Sequence, residues 1–321
     1  MTTRTWTPTD LPSRAAEHPV PAGRTVLAEL RGATKRYGRV TAVDSLDLEV
    51  RAGELLAVLG PNGAGKTTAI GMLTGLTATT SGTARLFGRD PRDTGARSRA
   101  GVMLQASGVP ETLRVRELLT EFRGYYPAPL PMAAIVEAAG LAGLEHRLYG
   151  ELSGGQQRRV LFGIALSGDP DILFVDEPTT GLDVEVRRSL WAVLRDLAAA
   201  GRGVVLTTHY LEEADALADR IVLLHSGRMI AEGTPAQIKA LVPGRRITAR
   251  TSVSATQAAT WPDVQRSSVD GDRLELLVGT AEPALRCLLE ADPAVENVTV
   301  VEPSLDEAVL TLTTHAEEAA A

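Results

Sequence analysis

Short uninterrupted apolar runs alternate along this chain with longer stretches whose apolar positions recur every three or four residues. LLAVLG (55–60), ILFV (172–175), VVLT (204–207) and IVLL (221–224) have the look of strands buried on both faces. VRRSLWAVLRDLAAA (186–200) and YLEEADALA (210–218) lie between them with helical spacing. Buried strands alternating with helices predict an α/β architecture, a parallel sheet with helices on both faces. Upstream, VLAELRGATKRY and the alternating Leu46, Leu48 and Val50 read as further strands, ended by a turn at Arg51-Ala52-Gly53-Glu54. Between Gln105 and Leu152 the texture changes. RVRELLTEFRGYY and AAIVEAAGLAGL read as helices separated by the stiff Pro127-Ala128-Pro129-Leu130-Pro131, which predicts an inserted helical subdomain over about 106–150.

Pro243-Gly244 marks a plausible boundary. Beyond it RRITARTS, RLELLVG and NVTVVE read as strands and EPALRCLLEA as a helix, giving a small accessory α+β domain over 243–321 behind a main domain at 25–242. The last residues, HAEEAAA, are expected to fray. Residues 1–24 are rich in Thr, Pro, Arg and Ala without periodicity and read as a mobile tail.

Composition narrows the classes. With 33 Lys and Arg against 40 Asp and Glu, the net charge of the 321 residues is -7, which weakens any reading built on a broad phosphate-binding basic face, so no nucleic acid is expected as partner. The single cysteine, Cys287, excludes an intramolecular disulfide framework and a cysteine-based metal site, and points to an intracellular chain. No apolar stretch approaches the roughly 20 residues that span a bilayer, and the first 24 residues lack the apolar core of a secretory signal.

The loop after the first buried run carries the most direct chemistry. Gly60-Pro61-Asn62-Gly63-Ala64-Gly65-Lys66-Thr67 matches G-x-x-x-x-G-K-[ST], between a buried strand and the helical pattern KTTAIGMLTGL. Glycines let successive N–H groups turn inward around a phosphate, and the helix N-terminus adds its positive dipole end. Lys66 would reach the β- and γ-phosphates and the Thr67 hydroxyl would ligate Mg²⁺, so the nucleotide-binding set is Gly60, Asn62, Gly63, Ala64, Gly65, Lys66, Thr67 and Thr68. A dinucleotide fingerprint does not fit, because glycines at 60, 63 and 65 do not follow G-x-G-x-x-G. The run at 172–175 ends in Asp176-Glu177. Alone that is a strand capped by solvated acids; beside a phosphate loop, Asp176 reads as part of a Mg²⁺ shell and Glu177 as a group able to take a proton from an attacking water.

Leu152-Ser153-Gly154-Gly155-Gln156 is the most specific motif. Ser153 and Gln156 fit an S-x-x-Q capping box opening the helical run QQRRVLFGIALSG, with Gly154 and Gly155 baring N–H groups at its positive end. With this LSGGQ sequence, the chain resembles the nucleotide-binding subunit of an ATP-binding-cassette (ABC) transporter, over roughly residues 27–240. The resemblance implies a P-loop NTPase core of RecA-like type and brings further positions with it. Gln105 in GVMLQ matches the Q-loop, a group able to reach Mg²⁺ or the lytic water; Gly181-Leu182-Asp183 matches the D-loop; His209 in LTTHY matches the switch histidine; Tyr37 in KRYG matches the aromatic that stacks on adenine. Taken alone, His209 is a core histidine and Tyr37 a packing residue.

What the resemblance implies is a machine. ATP and Mg²⁺ are its cofactors, and two copies pair head to tail, so that Ser153, Gly154, Gly155 and Gln156 of one close over the nucleotide of the other. A separate ABC-2 type integral membrane subunit supplies the pore, with this chain peripheral on the cytoplasmic face of the membrane. ASGVPETLRVRELLTEFRGYY and the tail EPSLDEAVL (302–310) resemble the drug- and polymer-exporter branch that includes daunorubicin-resistance ATPases, although Val309 replaces the tail's usual aromatic. Export is therefore favoured over import. Two alternatives stand beside it: a soluble ABC ATPase acting on ribosomes or nucleic acid, and a nucleotide-sensing subunit without turnover.

Overall fold

A computed structural model describes residues 25–104, 108–242 and 244–320. The tail expected over 1–24, together with Gln105 and Pro243, lies outside the described residues. In chain order the elements are β1 (Val26–Tyr37), β2 (Val40–Arg51), β3 (Leu55–Leu59), α1 (Lys66–Leu73), β4 (Ser81–Leu86), α2 (Thr94–Arg97), β5 (Ala100–Met103), α3 (Val115–Arg123), α4 (Met132–Ala138), α5 (Gly154–Leu166), β6 (Ile172–Asp176), α6 (Val184–Ala199), β7 (Gly203–Thr207), α7 (Leu211–Leu217), β8 (Arg220–His225), β9 (Arg228–Gly233), α8 (Pro235–Ala240), β10 (Arg245–Arg250), α9 (Ala255–Ala258), β11 (Val264–Asp270), β12 (Arg273–Val278), α10 (Ala281–Ala291), β13 (Glu296–Val301) and α11 (Leu305–Ala320). The chain divides into two compact units between Glu232 and Gly233.

In the first unit β5, β6, β7, β3, β8 and β9 lie side by side in that order, and β5–β6, β6–β7, β7–β3 and β3–β8 are parallel pairs. The apolar runs form these strands because both faces are covered, and their side chains alternate between two cores. Leu173 and Val175 of β6, with Val204 and Leu206 of β7, face a core shared with Leu118 of α3, Ile135 of α4, Phe162 of α5 and Leu194 of α6. Ile172, Phe174 and Val205 face the other, shared with Ile70 of α1 and with Leu30 and Leu46 of the antiparallel sheet β2-β1-β4. α6 buries Leu190, Leu194, Leu197 and Ala198, the stripe its sequence spacing predicts. β8 turns into β9 through Ser226 and Gly227, both at positive φ (47° and 79°), the backbone that a two-residue hairpin requires.

In the second unit β11-β12-β10-β13 form an antiparallel sheet, and Ile247, Leu274, Leu276 and Val278 pack on Ala258 of α9 and on Ala281, Ala284 and Leu288 of α10. α11 opens with a reciprocal cap: Glu307 N–H donates to Ser304 Oγ (3.1 Å) and Ser304 N–H to Glu307 Oε2 (3.0 Å). The fraying expected of HAEEAAA is corrected here, because α11 continues to Ala320. Alanine and glutamate are among the stronger helix formers, and an already nucleated helix extends through them at little cost.

Phe174 sits fully buried in the middle of β6. Phe174→Ala is expected to lower the unfolding free energy of the chain by about 3–5 kcal/mol through lost burial and the cavity left behind, read as a reduced denaturant midpoint.

Candidate nucleotide site

Three parallel strands bring the motifs to one edge of the sheet. Val58 of β3 is aligned with Thr207 of β7, and Thr207 with Asp176 of β6. The phosphate loop, Glu177 and His209 therefore all leave the sheet just beyond matched positions. The loop is held by close backbone packing. A Cβ on Gly60 (φ +145°) would collide with the Leu224 carbonyl, and one on Gly65 (φ +103°) with the Ala42 carbonyl. Gly65 also begins α1 without any side-chain cap, leaving the helix start open. Asn62, Gly63 and Thr67 are exposed, Thr68 is half-buried and Ala64 is buried.

Lys66 folds back over the loop, its Nζ donating to the carbonyls of Gly60 (2.7 Å) and Pro61 (3.0 Å). Burial pushes the Lys66 ammonium below its ordinary pKa range, against the opposing pull of the Glu177 and Asp176 carboxylates. The two acids thus act on the lysine electrostatically. Asp176 is buried and accepts a hydrogen bond from the Thr207 hydroxyl through Oδ1. Glu177 takes a left-handed backbone (φ 50°), and its N–H donates to the Thr207 carbonyl (3.0 Å). That conformation is costly for a residue with a Cβ and turns the side chain off the strand line. Glu177 Oε1 lies 3.2 Å from His209 Nδ1, with the Glu177 side chain 17% and the His209 side chain 47% exposed. The Arg158 guanidinium, on α5, donates to the Glu177 carbonyl.

The LSGGQ segment forms the cap its sequence predicts. Ser153 N–H donates to Gln156 Oε1 (3.0 Å) and Gln156 N–H to Ser153 Oγ (3.3 Å). Ser153 and Gly154 are exposed. A Cβ on Gly154 would meet nothing, whereas one on Gly155 would press on the Gly181 carbonyl (3.0 Å) and Leu182 (3.1 Å). Asp183 caps α6, its Oδ1 accepting from Val186 N–H (2.9 Å). Tyr37 ends β1 with 52% exposure, and the Lys35 ammonium stands 4.9 Å from its ring centre.

The structure therefore brings Lys66, Asp176, Glu177 and His209 into one electrostatic and hydrogen-bonded neighbourhood. Ser153–Gln156 form a separate helix start, and Tyr37 stands at the end of β1. Sequence reasoning missed Thr207, whose hydroxyl donates to the Asp176 carboxylate and whose carbonyl accepts the Glu177 N–H, and Arg158, which holds the Glu177 backbone. The only available signal was Thr207's position closing an apolar run.

A parallel sheet with a phosphate loop, an acidic strand end and a histidine strand end on one edge defines a nucleotide-hydrolysing cassette. The chain belongs to the ABC transporter family, as an ATP-binding subunit with ATPase activity; the family described as ABC transporter matches residues 43–180. It is 42% identical over 214 residues to the Nod factor export ATP-binding protein I of Burkholderia orbicola, covering 64% of this chain and 70% of that protein. It is 38% identical over 309 residues to the Daunorubicin/doxorubicin resistance ATP-binding protein DrrA of Streptomyces peucetius, covering 89% of this chain and 92% of that protein. Among solved structures, an ATP-binding subunit of an ABC transporter matches with a TM-score of 0.62 and 26% identity, over 67% of this chain and 92% of that one. A dimeric ATP-binding cassette in a post-hydrolysis state, bound to ADP and Pi, matches with a TM-score of 0.60 and 25% identity, over 64% and 98%.

Lys66→Ala removes the one ammonium in the loop. ATP binding to the full chain, followed by titration calorimetry, is expected to weaken by about 10- to 100-fold, the worth of a hydrogen bond to a charged group. Unchanged affinity would count against the loop as the nucleotide site.

Proposed function

We propose that this chain is the energy-supplying subunit of an exporter, in which two copies close on MgATP and drive a separate ABC-2 type membrane subunit. The observation that carries the reading is the Glu177–His209 contact at the strand edge that also holds Lys66. A carboxylate beside an imidazole, next to a phosphate-binding ammonium, is suited to activating water against a terminal phosphate.

In this reading Lys66 draws the β- and γ-phosphates, and leaves its two backbone carbonyl partners to do so. Gly60, Asn62, Gly63, Ala64, Gly65 and Thr68 line the cradle, and Tyr37 offers its exposed ring to the adenine. Thr67 and Asp176, joined by Gln105, would hold Mg²⁺. A hydroxyl and a carboxylate are hard oxygen donors and fit that ion, which takes most of its shell from phosphate and water. When bound, Mg²⁺ supplies charge neutralisation at the phosphates. Glu177 accepts the proton of the attacking water, and His209 orients against the γ-phosphate while fixing the Glu177 carboxylate. The start of α5, with Ser153, Gly154, Gly155 and Gln156, meets the nucleotide of the second copy, and Asp183 lies at the same junction. Gly154 supports this role, since its face is open while the cap beside it is already satisfied. Loss of the γ-phosphate removes the charge that the two halves share, and the pair reopens.

Export is supported by relatives named for Nod factor export and for daunorubicin resistance. Pairing is supported by the dimeric cassette among the structural matches. No helix among the described residues is long and apolar enough to cross a membrane. The reading assigns the pore to another polypeptide and this chain to the cytoplasmic face of the membrane, with 25–242 as the nucleotide-binding domain and 243–321 as the accessory domain, a boundary ten residues beyond the division of the compact units between Glu232 and Gly233.

Glu177→Gln is expected to keep ATP binding, to accumulate an ATP-dependent dimer on gel filtration, and to slow turnover by about 10²-fold or more, the contribution of a general base. Multiple turnovers at the wild-type rate would remove Glu177 from the role of base.

A further inference from the structure

A buried carboxylate that takes no part in the chemistry above sits behind the site. Glu213, in the first turn of α7, is fully buried. Its Oε1 accepts from the Thr179 hydroxyl and from the Trp191 indole N–H (3.1 Å). Its Oε2 is buried and accepts no hydrogen bond among the described residues. Taking a carboxylate out of water costs several kcal/mol, and a leucine would fill the space without that cost. What the carboxylate adds is direction, because it fixes two donors at one point.

The donors are informative. Thr179 is buried two residues after Glu177, in the turn that runs on to Asp183, where its carbonyl accepts from Leu182 N–H (3.0 Å). Trp191 is on α6, one helical turn after Arg187. The Arg187 guanidinium stands 5.0 Å from the ring centre of Tyr210, and the Tyr210 ring lies 4.0 Å from the His209 imidazole. Glu213 N–H in turn donates to the Tyr210 carbonyl (3.0 Å). One face of α6 thus grips the start of α7 twice, through Arg187 on Tyr210 and Trp191 on Glu213.

We propose that Glu213 is a positioning residue for hydrolysis: it clasps the turn behind Glu177 to the helix start behind His209, so that carboxylate and imidazole keep their spacing. This rests on the reading of Glu177 and His209 given above. The side-chain hydrogen bonds of the clasp join Glu213 to Thr179 and Trp191 and include no residue of the phosphate loop, so the clasp acts on turnover and leaves nucleotide binding alone. Displacement of a reacting group by about 1 Å costs on the order of 10²-fold in rate.

The test uses the full chain in the membrane assembly that supports its turnover. Thr179→Val keeps the volume and removes the hydroxyl; kcat is expected to fall by about tenfold or more while KM for ATP stays within about twofold. Thr179→Ser, which restores the hydroxyl, should recover turnover. If Thr179→Val does not fold, Trp191→Phe removes the second donor and is read in the same way. A folded variant with kcat within about twofold of wild type, an equal loss in Thr179→Ser, or a rise in KM at unchanged kcat would overturn the clasp. Glu177→Gln in the same assay keeps the two ideas apart. Wild-type turnover there removes the reading of the site itself, whereas a silent Thr179→Val beside an inactive Glu177→Gln removes the clasp alone.

Discussion

Thr207 is tied to three neighbours at once, and the site exists because those ties agree. It pairs in register with Val58 on one side and Asp176 on the other. Its hydroxyl satisfies the buried Asp176 carboxylate, and its carbonyl accepts the Glu177 N–H (3.0 Å). Parallel strands place their carboxyl ends together, but only a fixed register places particular residues together. Slip β7 by one residue and every side chain on it turns to the opposite core, so Val204, Leu206 and Val205 lock the register through burial. Hydrophobic packing in the sheet interior thereby sets, at its edge, the spacing between a carboxylate and an imidazole.

The parts of this structure written in local pattern were legible in the sequence. β3, β6, β7 and β8 are continuous apolar runs because both faces are covered, and α6 shows its buried stripe. The phosphate loop was legible because its glycines answer to local backbone needs, and the Ser153–Gln156 cap because its partners are three residues apart. β4, β5, β9 and β11 gave no such signal. SGTARL and VQRSSVD are largely exposed, and they are strands because a neighbour pairs with them.

Glu213 shows a different kind of illegibility. In YLEEADALA it looks like one of several acids on a solvated helix face. Its burial is set by Thr179 and Trp191, which lie 34 and 22 residues away and nowhere near it in pattern. Arg158 is similar: one basic residue in QQRR, distinguished only by the carbonyl it reaches. Long-range polar contacts of this kind answer to tertiary geometry, and hydrophobic periodicity carries no trace of them.

The two glycines of the LSGGQ segment answer to different needs at the start of α5. Gly154 leaves its face open, so an anion can approach the N–H groups at the positive end of α5. Gly155 lets the same turn lie against Gly181, where a Cβ would come within 3.0 Å of the carbonyl, and Gly181 leads directly to Asp183 and α6. On the same helix Arg158 holds the Glu177 carbonyl. A charge drawn to the first turn of α5 therefore pulls on a helix already fastened at two places, to the turn before α6 and to the backbone that carries Glu177. The start of α5 and the backbone that carries Glu177 are thus joined by direct contacts within a single chain.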